Sequence, residues 1–317
     1  MRAAPYHADV AAGPPGRAVW ADADGVDVRV ALWPLEGARA TALIFPGRTE
    51  HCEKYGPLAA DLRGAGLAAA AIDWRGQGLT VRPRRNRRSG HVGDFAEFQA
   101  DVDAMVATAR AAGLPEPFHL VAHSMGGLIG LRALMRGAPL ARAAFSAPMW
   151  GLPLPAPRRA AAWGLSWLGA KLGLGEAATP FSGKSAEPAA MPFEGNLLTT
   201  DRDTFAWIKR HHATHPDLTL GPPSLAWLGA ALREMDEVAA LPSPDAPALT
   251  LLGGDERIVD AGAIRDRMGR WPGGALLELP GARHEVLMET PERRGTALAA
   301  VAAHLLGDAP AARAPAA

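Results

Sequence analysis

The chain has 317 residues and a mass of 33.1 kDa, 48% of its residues are hydrophobic and 21% charged, which suits one large or two small globular domains and excludes a disordered chain. Lys+Arg and Asp+Glu both number 33, so a surface built throughout for nucleic acid is excluded, and the single cysteine, Cys52, excludes an internal disulfide and a thiolate metal cluster. No apolar run of about 18 residues is free of charges and helix breakers, and Met1 to Gly16 carries Asp9, Pro5, Pro14 and Pro15 where a signal peptide needs an apolar stretch. A cytoplasmic protein is expected, with any membrane contact peripheral.

Residues 1–17 read as a flexible N-terminal arm. Strands are then predicted over Val26–Trp33, Thr41–Phe45, Leu67–Ile72, Phe118–Ala122, Arg142–Ser146, Ala248–Leu252 and Leu276–Leu279. Helices are predicted over Lys54–Ala65, Phe95–Ala112, Met125–Gly137, Asp260–Arg270 and Pro291–Leu306. Leu67–Ile72 is L-A-A-A-A-I, and alanine favours helix, but Gly64, Gly66 and Asp73 bracket it too tightly for one. Strands alternating with helices predict βαβ units and a mostly parallel sheet covered on both faces, an α/β fold. The rhythm breaks at residues 148–247, where Trp150, Trp163, Trp167, Trp207 and Trp227 accompany many prolines. That stretch reads as a helical cap inserted between two parts of one core, 18–147 and 248–306; an ordinary helical subdomain with structural tryptophans is the alternative. Residues 307–317 read as a disordered tail.

The most informative stretch is F-H-L-V-A-H-S-M-G-G-L-I-G-L-R, Phe118 to Arg132. An apolar strand meets an apolar helix at Ser124, and the positions two before and two after it are small, Ala122 and Gly126. This is the nucleophile elbow G-x-S-x-G with alanine in the first place, a turn so sharp that larger neighbours would clash. It sets Ser124 at a helix N-terminus, where free N–H groups and the helix dipole favour an oxyanion. His123 adjoins the serine but should point elsewhere.

A serine hydroxyl needs a base and a group to orient it, and behind such an elbow the chain order is serine, acid, histidine. In L-E-L-P-G-A-R-H-E, His284 follows the last predicted strand and precedes a helix. His51, His91, His119, His211, His212 and His215 are worse placed. The acid belongs after the preceding strand, in L-L-G-G-D-E-R-I-V-D. The G-x-x-D-x-[IV]-V spacing lands on Glu256; Asp255 is the alternative, and Asp260 suits a helix cap. For the oxyanion hole, Met125 supplies one backbone N–H and Arg48, after Pro46–Gly47, the other.

With these residues in place the chain resembles the serine hydrolases of the α/β-hydrolase superfamily, and within them the monoglyceride lipases and bacterial lysophospholipases. The resemblance runs from about Ala42 to Leu306. It rests on P-G-R-T-E-H-x-x-K-Y from Pro46, I-D-W-R-G-Q-G-L-T from Ile72, G-H-V-x-D-F from Gly90, A-H-S-M-G-G and G-A-R-H-E. It implies hydrolysis of a single-chain acylglycerol or glycerophospholipid through an acyl-serine, with no metal and no cofactor, and it favours Glu256 as the acid. A broad esterase or thioesterase, an acyltransferase, and a non-catalytic binding protein on the same fold are the other readings. Trp163, Trp167 and Trp227 are the cap's candidates for contact with substrate, and Trp163, Leu165, Trp167 and Leu168 form a lipid-facing lid or simply pack on the sheet. The loop Arg82 to His91 holds five arginines. Its segment Arg82–Arg88 is either a patch for anionic lipid headgroups at the inner face of a membrane or a solvated loop.

Overall fold

The computed structural model describes residues 1–82, 88–180 and 188–308. After an edge strand β1 (Arg2–Ala4), β2 (Arg17–Ala23) and β3 (Val26–Trp33) form a hairpin closed by Asp24–Gly25. Both turn residues have positive φ, 53° and 81°, as a two-residue type I′ turn requires. The remaining strands are β4 (Ala40–Phe45), β5 (Leu67–Asp73), β6 (Phe118–His123), β7 (Ala143–Ser146), β8 (Ala248–Gly253) and β9 (Gly274–Leu279). They form one sheet in the order β1-β2-β3-β5-β4-β6-β7-β8-β9, antiparallel as far as β5 and parallel from β5 to β9. This is the α/β-hydrolase fold.

The helices are α1 (Gly56–Gly64), α2 (Glu97–Ala111), α3 (Met125–Met135), α4 (Ala156–Lys171), α5 (Arg202–Thr214), α6 (Leu225–Ala240), α7 (Ala261–Gly269) and α8 (Pro291–Leu306). Two apolar layers sandwich the sheet. Leu58 and Leu62 of α1 and Val301 and Leu305 of α8 pack on one face; Val102, Leu128, Met235 and Ile264 from α2, α3, α6 and α7 pack on the other. The alanines of β5 divide between them, Ala68 and Ala70 on one side, Ala69 and Ala71 on the other. Burial on both faces by flanking strands and helices overrides alanine's helical preference, and small side chains let those helices approach closely.

Residues 1–17 are tied down rather than loose. β1 pairs with β2, the His7 amide donates to Glu53 (3.0 Å), and Trp207 Nε1 of α5 donates to the Val10 carbonyl (3.1 Å). These partners lie far along the chain, so local composition carries no sign of them. The 148–247 stretch contributes α4, α5 and α6 between β7 and β8. α6 buries Trp227, Leu232, Met235 and Val238 in the core, whereas α4 leaves Leu165, Trp167 and Leu168 exposed. No helix among the described residues is long and apolar enough to cross a membrane. Of the predicted tail, residues 309–317 lie outside the described residues.

Candidate active site

Ser124 stands between β6 and α3 with φ 50° and ψ −117°, a strained conformation for any residue with a side chain. Its amide donates to Ser146 O (3.1 Å), and its carbonyl accepts from Gly127 N (2.9 Å) and Met149 N (2.8 Å), so β7 and the start of α3 hold the turn from both sides. A Cβ at Gly126 would lie 2.0 Å from the Phe45 carbonyl oxygen, which makes glycine obligatory there. α3 passes β6 closely at Gly130, where a Cβ would meet Leu120 Cδ2 at 2.6 Å.

The loops after β8 and β9 are joined through their backbones. Gly254 N donates to Leu279 O (2.8 Å) and Asp255 N to Ala282 O (2.9 Å). A Cβ at Gly253 would lie 2.4 Å from Arg283 O, so glycine permits this approach. The result brings Glu256 and His284 together, with Nδ1 2.8 Å from Oε2. The other Glu256 oxygen accepts from the amides of Ile258 (2.6 Å) and Val259 (3.1 Å). Burial alone would push this carboxyl up; the hydrogen bonds from His284 and from the two amides outweigh it and hold the group below the usual carboxylate range. An ionised carboxylate only accepts, so Nδ1 carries a proton, and in the neutral ring Nε2 is the nitrogen with the lone pair. Asp255 is exposed and turned to solvent, and Asp260 caps α7 through the amides of Gly262 and Ala263.

Three side chains fix the loop after β4. Trp74 Nε1 donates to Pro46 O (2.9 Å), Glu50 accepts from Gly47 N, and Gln77 Oε1 accepts from Thr49 N (2.8 Å). The Arg75-Gly76-Gln77-Gly78 turn is thus a brace for this loop. Gly78 has φ 52°, and a Cβ there would meet Asp73 Oδ2 at 2.0 Å. Among the described residues, the Arg48 and Met125 amides have no acceptor in the protein.

Ser124, His284 and Arg48 line one cavity of ≈ 460 Å³. Its apolar wall includes Met149, Leu152, Leu198, Leu228, Ile258 and Val259, and Trp227 belongs to it as well. Trp163 and Trp167 do not; they flank a separate groove between α4 and α6. Backbone bonds tie the insertion to the histidine loop, His284 N to Leu197 O (3.4 Å) and Glu285 N to Leu198 O (2.8 Å).

Beside the serine lies a buried ionic cluster that the sequence reading did not assign. Lys54 Nζ is shared between Glu50 and Glu285 (2.5 Å to the latter), Tyr55 donates to Glu50, and His123 Nε2 is 3.5 Å from Glu285. Burial, reinforced by Glu50, pushes the Glu285 carboxyl up to about 7 against the pull of Lys54. The signal was present in E-H-C-E-K-Y, where Glu50 and Lys54 sit four apart, but Glu285 joins them only through the fold. His123 Nδ1 is 3.0 Å from Ser146 O, and its ring, on the wall of the same cavity, lies 4.7 Å from that of His284.

Of the Arg82–Arg88 segment, Arg82 is buried and donates to the carbonyls of Gly78, Thr219 (2.8 Å) and Asp217 (2.7 Å). It pins the insertion to the Gly78 turn and is not available to a lipid headgroup, because all these acceptors need a donor inside the protein. Residues 83–87 lie outside the described residues.

A strained serine between strand and helix, with a paired glutamate and histidine on one cavity, defines a serine hydrolase-type site on an α/β-hydrolase fold. The chain belongs to the serine aminopeptidase S33 family of α/β hydrolases, which it matches over residues 36–291. It is 31% identical over 288 residues to lysophospholipase L2 of Escherichia coli, spanning 88% of this chain and 84% of that protein. It is also 26% identical to phospholipase YtpA of Bacillus subtilis, across 82% of this chain and 93% of that protein. In fold it is similar to a soluble variant of the Saccharomyces cerevisiae monoglyceride lipase solved with a substrate analogue, with TM-score 0.74, 20% identity and coverage of 96% of this chain and 100% of that one.

Proposed function

We propose that the protein is a carboxylic ester hydrolase acting on a single-chain lipid, a lysophospholipid or a monoacylglycerol, through an acyl-serine intermediate. The observation that carries this reading is the 2.8 Å contact between His284 Nδ1 and Glu256 on the cavity that Ser124 also lines. The similarity to lysophospholipases and a monoglyceride lipase supports the substrate class.

His284 Nε2 takes the Ser124 proton as Oγ bonds to the ester carbonyl carbon. The Arg48 and Met125 amides donate to the oxyanion that forms, and Glu256 stabilises the imidazolium. Collapse breaks the bond to the alcohol, which leaves with the proton from His284. Water then repeats the sequence on the acyl-serine and releases the fatty acid. The apolar wall from Met149 to Val259 takes the acyl chain. Contact with a lipid surface falls to α4, whose Trp167 is 63% exposed.

The test is fatty-acid release from lysophosphatidylcholine and from monooleoylglycerol by purified protein, alongside fluorophosphonate labelling. Labelling at Ser124 and hydrolysis of at least one lipid are expected, both abolished in Ser124→Ala. Labelling with no release from either lipid would end the lipid reading, and full turnover by Ser124→Ala would end the serine mechanism.

A further inference from the structure

The cavity has a polar end as well as an apolar wall. Arg48, His51, His211 and His212 line it together with Lys54, Glu50 and Glu285. Lys54 is matched by its two carboxylates. Arg48 is not: among the described residues it has no acidic partner, although it is half-buried, with its Nε closed off from solvent. Its Nη2 donates to Gly221 O (2.6 Å), its guanidinium lies over Trp227 with Cζ 5.3 Å from the ring centroid, and its Nε is buried with no hydrogen-bond partner. Burial pulls this guanidinium down to about 10, so it remains a cation at neutral pH. A cation partly withdrawn from water with no counter-ion is a ready partner for an anion.

The surroundings are shaped around that side chain. A Cβ at Gly90 would meet Leu220 Cδ2 at 2.6 Å and Arg48 Nη2 at 3.3 Å, so the glycine of the G-H-V motif lets both side chains pack there. Gly221 N donates to Arg88 O (2.6 Å), which fixes the carbonyl that Arg48 holds. The neighbouring imidazoles line the same cavity without charge. His211 Nδ1 lies 3.3 Å from His51 Nε2, and the other side of the His211 ring faces the Val10 backbone. Burial keeps His51 well below the usual imidazole range and His211 and His212 at about 4, so all three are neutral near pH 7.

We infer that the Arg48 side chain receives the phosphate of a glycerophospholipid headgroup and so favours lysophospholipids over monoacylglycerols. This rests on the proposed lipid ester hydrolysis. Arg48 joins the two ends of the substrate: its amide faces the reacting carbonyl, and its side chain the phosphate one glycerol unit away. Guanidinium suits the task because its planar fork can donate two hydrogen bonds to phosphate oxygens.

The experiment compares kcat/KM for 1-oleoyl-lysophosphatidylglycerol and 1-monooleoylglycerol in the wild type, Arg48→Met and Arg48→Lys, all of which keep the backbone amide. The wild type is expected to prefer the phospholipid. The ratio should fall at least tenfold in Arg48→Met and by less in Arg48→Lys. A ratio unchanged within twofold, both activities falling together, overturns this inference alone; a wild type that releases no fatty acid from either lipid overturns the functional reading with it. A second measurement needs no variant: glycerol 3-phosphate should inhibit wild-type monooleoylglycerol hydrolysis competitively and at least tenfold more strongly than glycerol. Equal inhibition by the two overturns the inference. Inhibition by inorganic phosphate as strong as by glycerol 3-phosphate makes free phosphate the occupant and overturns the headgroup assignment.

Discussion

Glu256 holds the imidazole of His284 by Nδ1 at 2.8 Å while two amides of its own loop hold the carboxylate. Replacement by glutamine keeps the shape but lets the ring adopt the other tautomer. Glu256→Gln is expected to lower kcat by on the order of 10³–10⁴ with little change in KM. Asp255→Asn, at an exposed position, should stay within about twofold of wild type. Steady-state kinetics on a soluble nitrophenyl ester compare the two, and a larger loss in Asp255→Asn would reverse the assignment.

The backbone at Ser124, with φ 50° and ψ −117°, stores strain that glycine would relieve. Ser124→Gly is therefore expected to be more stable than Ser124→Ala by about 1–3 kcal/mol, less the chain-entropy cost of glycine. Both should be inactive. Urea melts of the pair read the difference; an alanine variant as stable as the glycine one would mean that the turn is relaxed.

Gly126→Ala introduces a methyl at 2.0 Å from a backbone carbonyl oxygen, which has no room to move inside the sheet. A loss of about 3 kcal/mol or more is expected, read as a lowered melting temperature or failure to fold. Ala122→Gly should cost only about 1 kcal/mol, since the methyl it removes is small and the strand is flanked on both sides.

Burial holds His119 of β6 down to about 4, with Arg142 and His304 adding to the effect, and His211 and His212 fall to about 4 as well. The unfolded chain takes up these protons near pH 6.5, before the native state does. The stability from their neutral burial is thus complete above about pH 6.5 and lost as the pH falls towards 4. His119→Leu, remote from the serine, should flatten the dependence of unfolding free energy on pH over that window by about one proton. An unchanged slope would mean that this imidazole is protonated in the native state.

The parallel half of the fold was legible because each strand and helix there carries its own pattern: β8 begins at the predicted Ala248 and α8 falls on its predicted bounds, Pro291–Leu306. β2 was missed although Asp24–Gly25 is a hairpin signal, because the alternation in R-A-V-W-A-D-A is weak beside so many alanines. β1 could not be read, since three residues become a strand only by pairing with a neighbour. In the site, spacing singled out Ser124, Glu256 and His284, because turn chemistry is local. The Lys54 cluster and the unmatched charge of Arg48 depend on which loops meet, and no spacing records that.

The hydrogen bonds from His284 and Glu285 to Leu197 and Leu198 join the roof of the cavity to the loop that carries the imidazole. A flap hinged at that point could not swing clear and leave the proton carrier in position. A motion that lifts residues 197–198 would therefore pull on the loop that carries His284. Uncovering the serine to bulk water and disarming it would be one event.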